Sequence, residues 1–360
     1  MSGAPGPATP RRLGYRMPPE WERHAATWIG WPGARGDWPG KFSSIPWVYA
    51  EIVRQLRGEE TVEVLVSDAP QERRARRVLD RSGVDRTNVV FRVCPMDRGW
   101  LRDSGPTFLV REGAADTERV GLVHWQFNAW AKYDDWERDR RVPEFVATVR
   151  PGPLWRPERA GRWVVLEGGA FDVDGAGLLL ATDECLTGEV QARNPGWTRT
   201  DYEEVFREYL GIDEVVWLPG GIAGDDTHGH IDDVARWVGP RTVVTVTSDR
   251  LADPDRQILT ENRAALETFR TRDGRRLEVR ELPAPRPVSF GGRRLPASYA
   301  NFYVANRTVL VPTFDDPNDP VAIDVLRRAF PGREVVGIHA RDLVWGLGTV
   351  HCLTQQQPAL

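Results

Sequence analysis

Cysteine is scarce in this chain of 360 residues: Cys94, Cys185 and Cys352 cannot all pair and show no CxxC spacing. That speaks against a disulfide framework and against a thiolate zinc site. Long apolar runs are missing too, since no stretch reaches the roughly 18 to 20 apolar residues that a membrane span needs. Lysine is confined to Lys41 and Lys132, so the positive charge is almost all arginine, which a codon bias explains without any appeal to phosphate recognition. A charge excess is also lacking: 48 basic side chains stand against 52 acidic ones, a net charge of -4. Neither nucleic acid nor an anionic membrane is advertised as a partner. What remains is 41% apolar and 28% charged, an ordinary globular composition. The expected partner is a small molecule and the expected location a reducing cytoplasm; homo-oligomerisation is left open.

Short β-rich runs alternate with helical patterns. Strands are expected at 25–31, 61–67, 88–93, 121–127, 163–166, 177–182, 214–218, 242–248, 277–282, 301–306, 308–311 and 334–338. Helices are expected at 43–57, 70–82, 201–210, 253–270 and 320–330. The pattern is α/β or α+β. The Gly-, Pro- and Thr-containing segment 1–14 reads as a disordered lead-in, and with no Pro-rich or Gly/Ser-rich linker after it, 15–360 reads as one catalytic domain. The polar motifs are spaced with some regularity: Asp103 to Glu167 is 64 residues, Glu167 to His230 is 63, and His230 to Cys352 is 122, about two further steps. Such a repeat suggests modules about an axis, each giving an equivalent strand end or loop to one site.

Four segments carry chemistry. In the run from Gly346 to Cys352, two glycines allow a tight turn that can hold a thiol at a cleft wall, although most free cysteines are small core residues. Cys94 and Cys185, flanked by strand-like residues, are read as core. The run from Asp225 to Asp233 is dense in acids and imidazoles. If it is extended, His230 and Asp232 point to the same side, suiting a general acid/base beside an anionic anchor. The same run, as His228-x-His230-x-Asp232, has the spacing of metal ligands. Glu167, at the end of an apolar run and before Gly168-Gly169, can approach another group closely. The run from Asp97 to Pro106, containing Trp100 and Asp103, reads equally as a salt-bridged surface loop.

Together these residues suit the cleavage of a guanidinium, which is planar, cationic and a poor electrophile. Two carboxylates, Asp103 and Asp232, can bind it in forked geometry with its carbon held near a nucleophile. The Cys352 thiolate is that nucleophile, and the substrate's own charge favours the anion. His230 can protonate the departing ammonia and then take a proton from water, with Glu167 favouring the imidazolium.

At this point the chain resembles the agmatine deiminase and bacterial-type peptidylarginine deiminase family of guanidine-modifying enzymes. The likeness runs over nearly the whole length, through the segments 17–21, 28–32, 97–106, 127–130, 166–169, 226–232, 296–303 and 351–358. The resemblance implies a five-module, pseudo-fivefold α/β-propeller of pentein type, with no metal and no cofactor. It assigns Cys352 as nucleophile, His230 as acid/base, Glu167 as its partner, and Asp103 with Asp232 as the guanidinium-binding pair. Asp226 matches a further substrate-binding position, and Asp97 and Trp100 are grouped with it. The implied reaction converts agmatine and water to N-carbamoylputrescine and ammonia through an amidino-cysteine intermediate. Departures lie close to the pocket: Leu347 and Thr349 stand where Gly and Asn are usual, His228 where Asp or Asn is common, and Met96 where Asn is usual. Alternatives are an amidinotransferase, a deiminase of a modified guanidine, a metal-dependent hydrolase using His228, His230 and Asp232, and a non-catalytic binding protein.

Overall fold

A computed structural model describes residues 8–56, 58, 60–250 and 252–359, and within them one β-β-α-β unit is built five times. Each unit begins with an antiparallel pair, crosses back through a helix and adds a parallel strand to the second member of the pair. One unit joins Thr107–Val110 to Val120–Val123, then passes through the helix Val142–Val149 to Leu154–Trp155. The next uses Phe171–Val173, Leu178–Thr182, the helix Arg199–Leu210 and Glu214–Leu218. A further unit uses Ala235–Gly239, Thr242–Thr247, the helix Arg256–Thr268 and Glu278–Pro283. The last complete one uses Tyr303–Val304, Thr308–Thr313, the helix Asp319–Ala329 and Glu334–His339.

The remaining sheet is assembled from both ends of the chain. His24–Gly30 runs parallel to Thr61–Val66, which runs parallel to Val89–Val93, while the C-terminal Thr354–Pro358 supplies the antiparallel partner of His24–Gly30. The five-module α/β architecture implied by the sequence is therefore present.

The helices form where apolar residues recur on one face. Ile45–Leu56 buries Ile45, Tyr49, Ile52, Val53 and Leu56, each such side chain contributing about 1.5–3 kcal/mol when withdrawn from water. Ala69–Arg81 is started by Asp68, whose carboxylate accepts from the Gln71 N–H, and Arg199–Leu210 is started by a Thr198–Asp201 capping box. The latter stops at Gly211, whose φ of 76° is open to glycine at little cost. Central strands such as Leu178–Thr182 are buried along their whole length, as expected of strands covered on both faces.

Some expectations need adjustment. Of the anticipated lead-in, 1–7 lies outside the described residues, but 8–14 is docked: Thr9 Oγ1 donates to Glu208, and Arg11 reaches the Ile212 carbonyl and Asp213. The expected helix 43–57 is Ile45–Leu56, and residue 57 lies outside the described residues. The strand expected at 301–306 is paired only over Tyr303–Val304, because Asn301 turns its amide into the interior. Residues 163–166 give a short hairpin strand and one bridge, Gln126 to Val165, in place of a full strand. Among the described residues, no helix is long and apolar enough to cross a membrane.

Candidate active site

The polar residues singled out in the sequence occupy one structural position in successive units, the short turn that leads into the first strand. Asp103 lies in the helical turn Leu101–Ser104 before Thr107–Val110. Glu167 caps the turn Gly168–Ala170 before Phe171–Val173, and His230 caps the turn Ile231–Asp233 before Ala235–Gly239. Cys352 sits in the turn Val350–Leu353 before Thr354–Pro358. The double-length step between His230 and Cys352 is filled by Asn301, which precedes Tyr303–Val304. This recurrence accounts for the period in the sequence and brings the motifs to one place.

Cys352 Sγ, on a residue 7% exposed, lies 3.1 Å from Asn301 Nδ2 and 3.8 Å from Asp232 Oδ2. Gly348 is required beside it, since a Cβ there would stand 3.2 Å from the sulfur and 2.9 Å from the Trp100 ring. His230 is buried among three carboxylates: its Nε2 is 3.5 Å from Glu167 Oε2, and its Nδ1 is 3.9 Å from oxygens of both Asp103 and Asp232. Among the described residues, neither ring nitrogen has a hydrogen-bond partner, and neither has Asp232 Oδ1. Buried polar atoms left open are unusual, and these belong to a cluster that reaches the sulfur through Asp232, where an incoming group could satisfy them.

The buried charges bias one another. Burial opposes the His230 imidazolium, but the Asp103 carboxylate and the Glu167 contact outweigh it and raise its pKa well above the usual histidine value. Burial would raise Glu167, yet the Arg193 guanidinium, at 3.1 and 3.2 Å from its two oxygens, and His230 hold it below the ordinary carboxylate value. Asp103 is pushed up to about 6, chiefly by burial and also by Asp232 and Glu167, against the attraction of His230. It is held in place by the Gly169 N–H at 3.0 Å and the Trp130 indole at 2.9 Å. Burial, then Asp232, Asp233 and Asp103, drive the Cys352 thiol well above its usual value. In the free protein the sulfur is therefore a thiol, and a cation placed between it and the carboxylates favours the thiolate.

A cavity of about 540 Å³ is lined by Asp103 and Cys352 together with Asp97, Trp100, Trp130, Asp226, Arg293, Leu347 and Gly348, while Glu167, His230 and Asp232, all buried, do not contribute to its lining. The outer three predicted residues serve differently from the inner five. Trp100 is wall: its indole donates to Asp37 Oδ2 at 3.1 Å, and its ring packs 5.4 Å from that of Trp38. Asp97 accepts from the Arg138 N–H at 2.8 Å and so shapes the rim. Asp226 already accepts from Lys132 Nζ at 2.5 Å and Arg293 Nη2 at 2.8 Å on Oδ1 and from the Tyr133 hydroxyl on Oδ2, so most of its acceptor capacity is committed within the protein.

The ligand-like run His228-x-His230-x-Asp232 is not brought together. His228, at a φ of 64°, turns its ring toward Glu184 at 3.6 Å, while His230 turns inward. The segment Ile231–Asp233 is a 3-10 turn and not extended, so His230 and Asp232 share the site through that turn. Cys185, read as core, is fully buried but also faces the site, with its sulfur, a Glu167 oxygen and a His230 nitrogen within 4.8 Å of one another. Sequence reasoning missed Asn301, Arg193 and Trp130. For Asn301 the doubled step in the period was a usable signal, and Trp130 falls in the segment 127–130 that carries the resemblance; for Arg193 there was none.

Residues 16–358 match the model of the Porphyromonas-type peptidyl-arginine deiminase family. The chain is 34% identical to the agmatine deiminase of Ectopseudomonas mendocina, over 98% of this chain and 97% of that one. It is likewise 34% identical to the agmatine deiminase of Pseudomonas aeruginosa, over 98% of both. Among solved structures, the agmatine deiminase of Enterococcus faecalis superposes with a TM-score of 0.89 at 28% identity, covering 99% of each chain.

Proposed function

Because this chain belongs to the Porphyromonas-type peptidyl-arginine deiminase family and is an agmatine deiminase-like enzyme, we propose that it hydrolyses the guanidino group of agmatine or a related small guanidine. The products are a ureido compound, N-carbamoylputrescine in the case of agmatine, and ammonia. The observation that carries this reading is the convergence of Asp232, whose carboxylate is 3.8 Å from the Cys352 thiol, with a His230 ring 3.9 Å from both Asp232 and Asp103.

Guanidinium N–H groups donate to Asp103 and to the free Oδ1 of Asp232, which holds the central carbon against Cys352 Sγ. The cation offsets the carboxylates that keep the thiol protonated, so on substrate binding the Cys352 thiol releases its proton to solvent and becomes the thiolate. Sulfur attacks the carbon, a C–N bond breaks, and the leaving nitrogen takes a proton from the His230 imidazolium. The result is an amidino-cysteine. Water, deprotonated by the now neutral His230, adds to the same carbon, and the C–S bond breaks to return the Cys352 thiolate. Glu167, anchored by Arg193, keeps His230 oriented and favours its charged form. Mass spectrometry of agmatine incubations tests the scheme. A ureido product with equimolar ammonia is expected, lost in Cys352→Ala, together with an amidino adduct on Cys352 when His230 is replaced by Ala. An active Cys352→Ala protein would refute it.

A further inference from the structure

The residue before the nucleophile is tied into the site more tightly than the nucleophile itself. His351, 2% exposed, has Nδ1 at 2.7 Å from Asp232 Oδ2 and Nε2 at 2.8 Å from Glu20 Oε2. Each ring nitrogen thus meets a carboxylate oxygen, and the ring is held from both sides. Glu20 is in turn immobilised: Arg102 Nη2 reaches its Oε2 at 3.1 Å, Arg236 Nη2 its Oε1 at 3.0 Å, and the Val304 N–H donates to Oε1 at 2.8 Å. The chain of contacts thus runs from a fixed anchor through the imidazole to one oxygen of Asp232. The other oxygen, Oδ1, has no hydrogen-bond partner among the described residues.

We propose that His351 is a positioning residue, clamped between Glu20 and Asp232 so that the Asp232 carboxylate keeps its Oδ1 turned toward the substrate guanidinium beside Cys352. The role rests on the reading of Asp232 as one half of the guanidinium grip, and it adds the device that aims it. Asn301 Nδ2, at 3.3 Å from the same Oδ2, also bonds Asp233 and the Cys352 sulfur, and does not hold the carboxylate alone.

The test uses the full chain and two readouts, steady-state kinetics with agmatine and the protection of Cys352 from iodoacetamide by guanidinium chloride. Loss of a charged hydrogen bond predicts that His351→Ala raises KM and the half-protecting guanidinium concentration by about ten- to a hundredfold, with a smaller change in kcat. His351→Asn, whose side-chain amide takes the place of Nδ1, restores most of both, and His351→Gln, which reaches toward Glu20 instead, restores less. The proposal is overturned if folded His351→Ala keeps wild-type KM and protection, or if Asn does no better than Gln. Should the Ala variant fail to melt cooperatively, the Asn and Gln pair decides alone. A wild-type protein that is protected by guanidinium yet inert toward agmatine would fault the substrate assignment and leave the positioning role standing.

Discussion

Asp103 holds its charge less readily than its partner in the grip. Burial, and Asp232 and Glu167 behind it, lift it to about 6, whereas His351 helps keep Asp232 below the ordinary carboxylate value. The sign follows directly: as pH falls through about 6, the free enzyme takes a proton on Asp103 and loses one of the two acceptors for the guanidinium. On the acid side of a break near pH 6, kcat/KM for agmatine should therefore drop about tenfold per unit, since this ratio reports groups in the free enzyme. A rate profile flat down to pH 4.5 would contradict that account. Glu167 makes a different prediction, because it serves two cations at once. Replacing it by Gln leaves the fully buried Arg193 without its anion, at a cost of about 3–5 kcal/mol, and removes the charge that favours the His230 imidazolium, lowering kcat by about 10²–10⁴. Thermal melting and steady-state kinetics read the two effects separately. Asp103, Glu167, His230, Asp232 and Cys352 were legible in the sequence because each is a reactive type in a glycine-bearing turn. Arg193 was not, because one arginine among so many carries no mark until its contact with Glu167 is known.

The turns that carry these residues are short, and their backbone angles decide what may replace a family residue. Leu347 occupies a left-handed conformation, φ 70° and ψ 20°, at a position where the family usually has glycine. A leucine there is strained by roughly 1 kcal/mol, and its side chain lines the cavity beside Gly348 and Cys352. Leu347→Gly is expected to relieve that strain, offset in part by the greater freedom of glycine in the unfolded chain, and to widen the pocket. KM should fall for guanidines bulkier than agmatine while kcat for agmatine changes by less than about threefold, measured across a series of N-alkyl guanidines. A loss of activity toward every substrate would mean that the leucine packs the nucleophile turn and does not restrict the tail. The helices Ile45–Leu56, Ala69–Arg81, Arg199–Leu210, Arg256–Thr268 and Asp319–Ala329 were read from the sequence to within a few residues because their apolar faces repeat, whereas the short crossover helix Val142–Val149 was not anticipated. The strands Thr107–Val110, Phe171–Val173, Ala235–Gly239 and Thr354–Pro358 were not anticipated as strands. Each is short and is the first member of its antiparallel pair, directly after a turn whose polar side chains belong to the site.

Thr354–Pro358 shows most sharply why composition misleads at the scale of the whole chain. Threonine, three glutamines and proline read as a polar tail, yet every residue of this strand is buried. Two of the glutamines are accommodated by specific partners, Gln357 accepting from the Trp28 indole at 3.0 Å and Gln356 from Arg102 at 2.8 Å. The Trp28 contact and the backbone pairing join Thr354–Pro358 to His24–Gly30 and complete the one module that the N-terminal half leaves unfinished. Arg102 then continues to Glu20 and so to His351, linking the closing strand to the site. A protein ending at Leu353 keeps Cys352 and all the other proposed catalytic residues, but His24–Gly30 loses its antiparallel neighbour and becomes an unpaired edge. Arg102 loses one acceptor in the interior at the same time. Such a truncation should melt without a cooperative transition or far below the intact chain, and should show no ammonia release from agmatine. Alanine substitutions at Gln356 and Gln357 in the intact chain, which keep the backbone pairing, should lower the melting temperature by several degrees and retain measurable turnover. If the truncated chain instead melted normally and stayed active, the first module would be shown to close without its C-terminal strand.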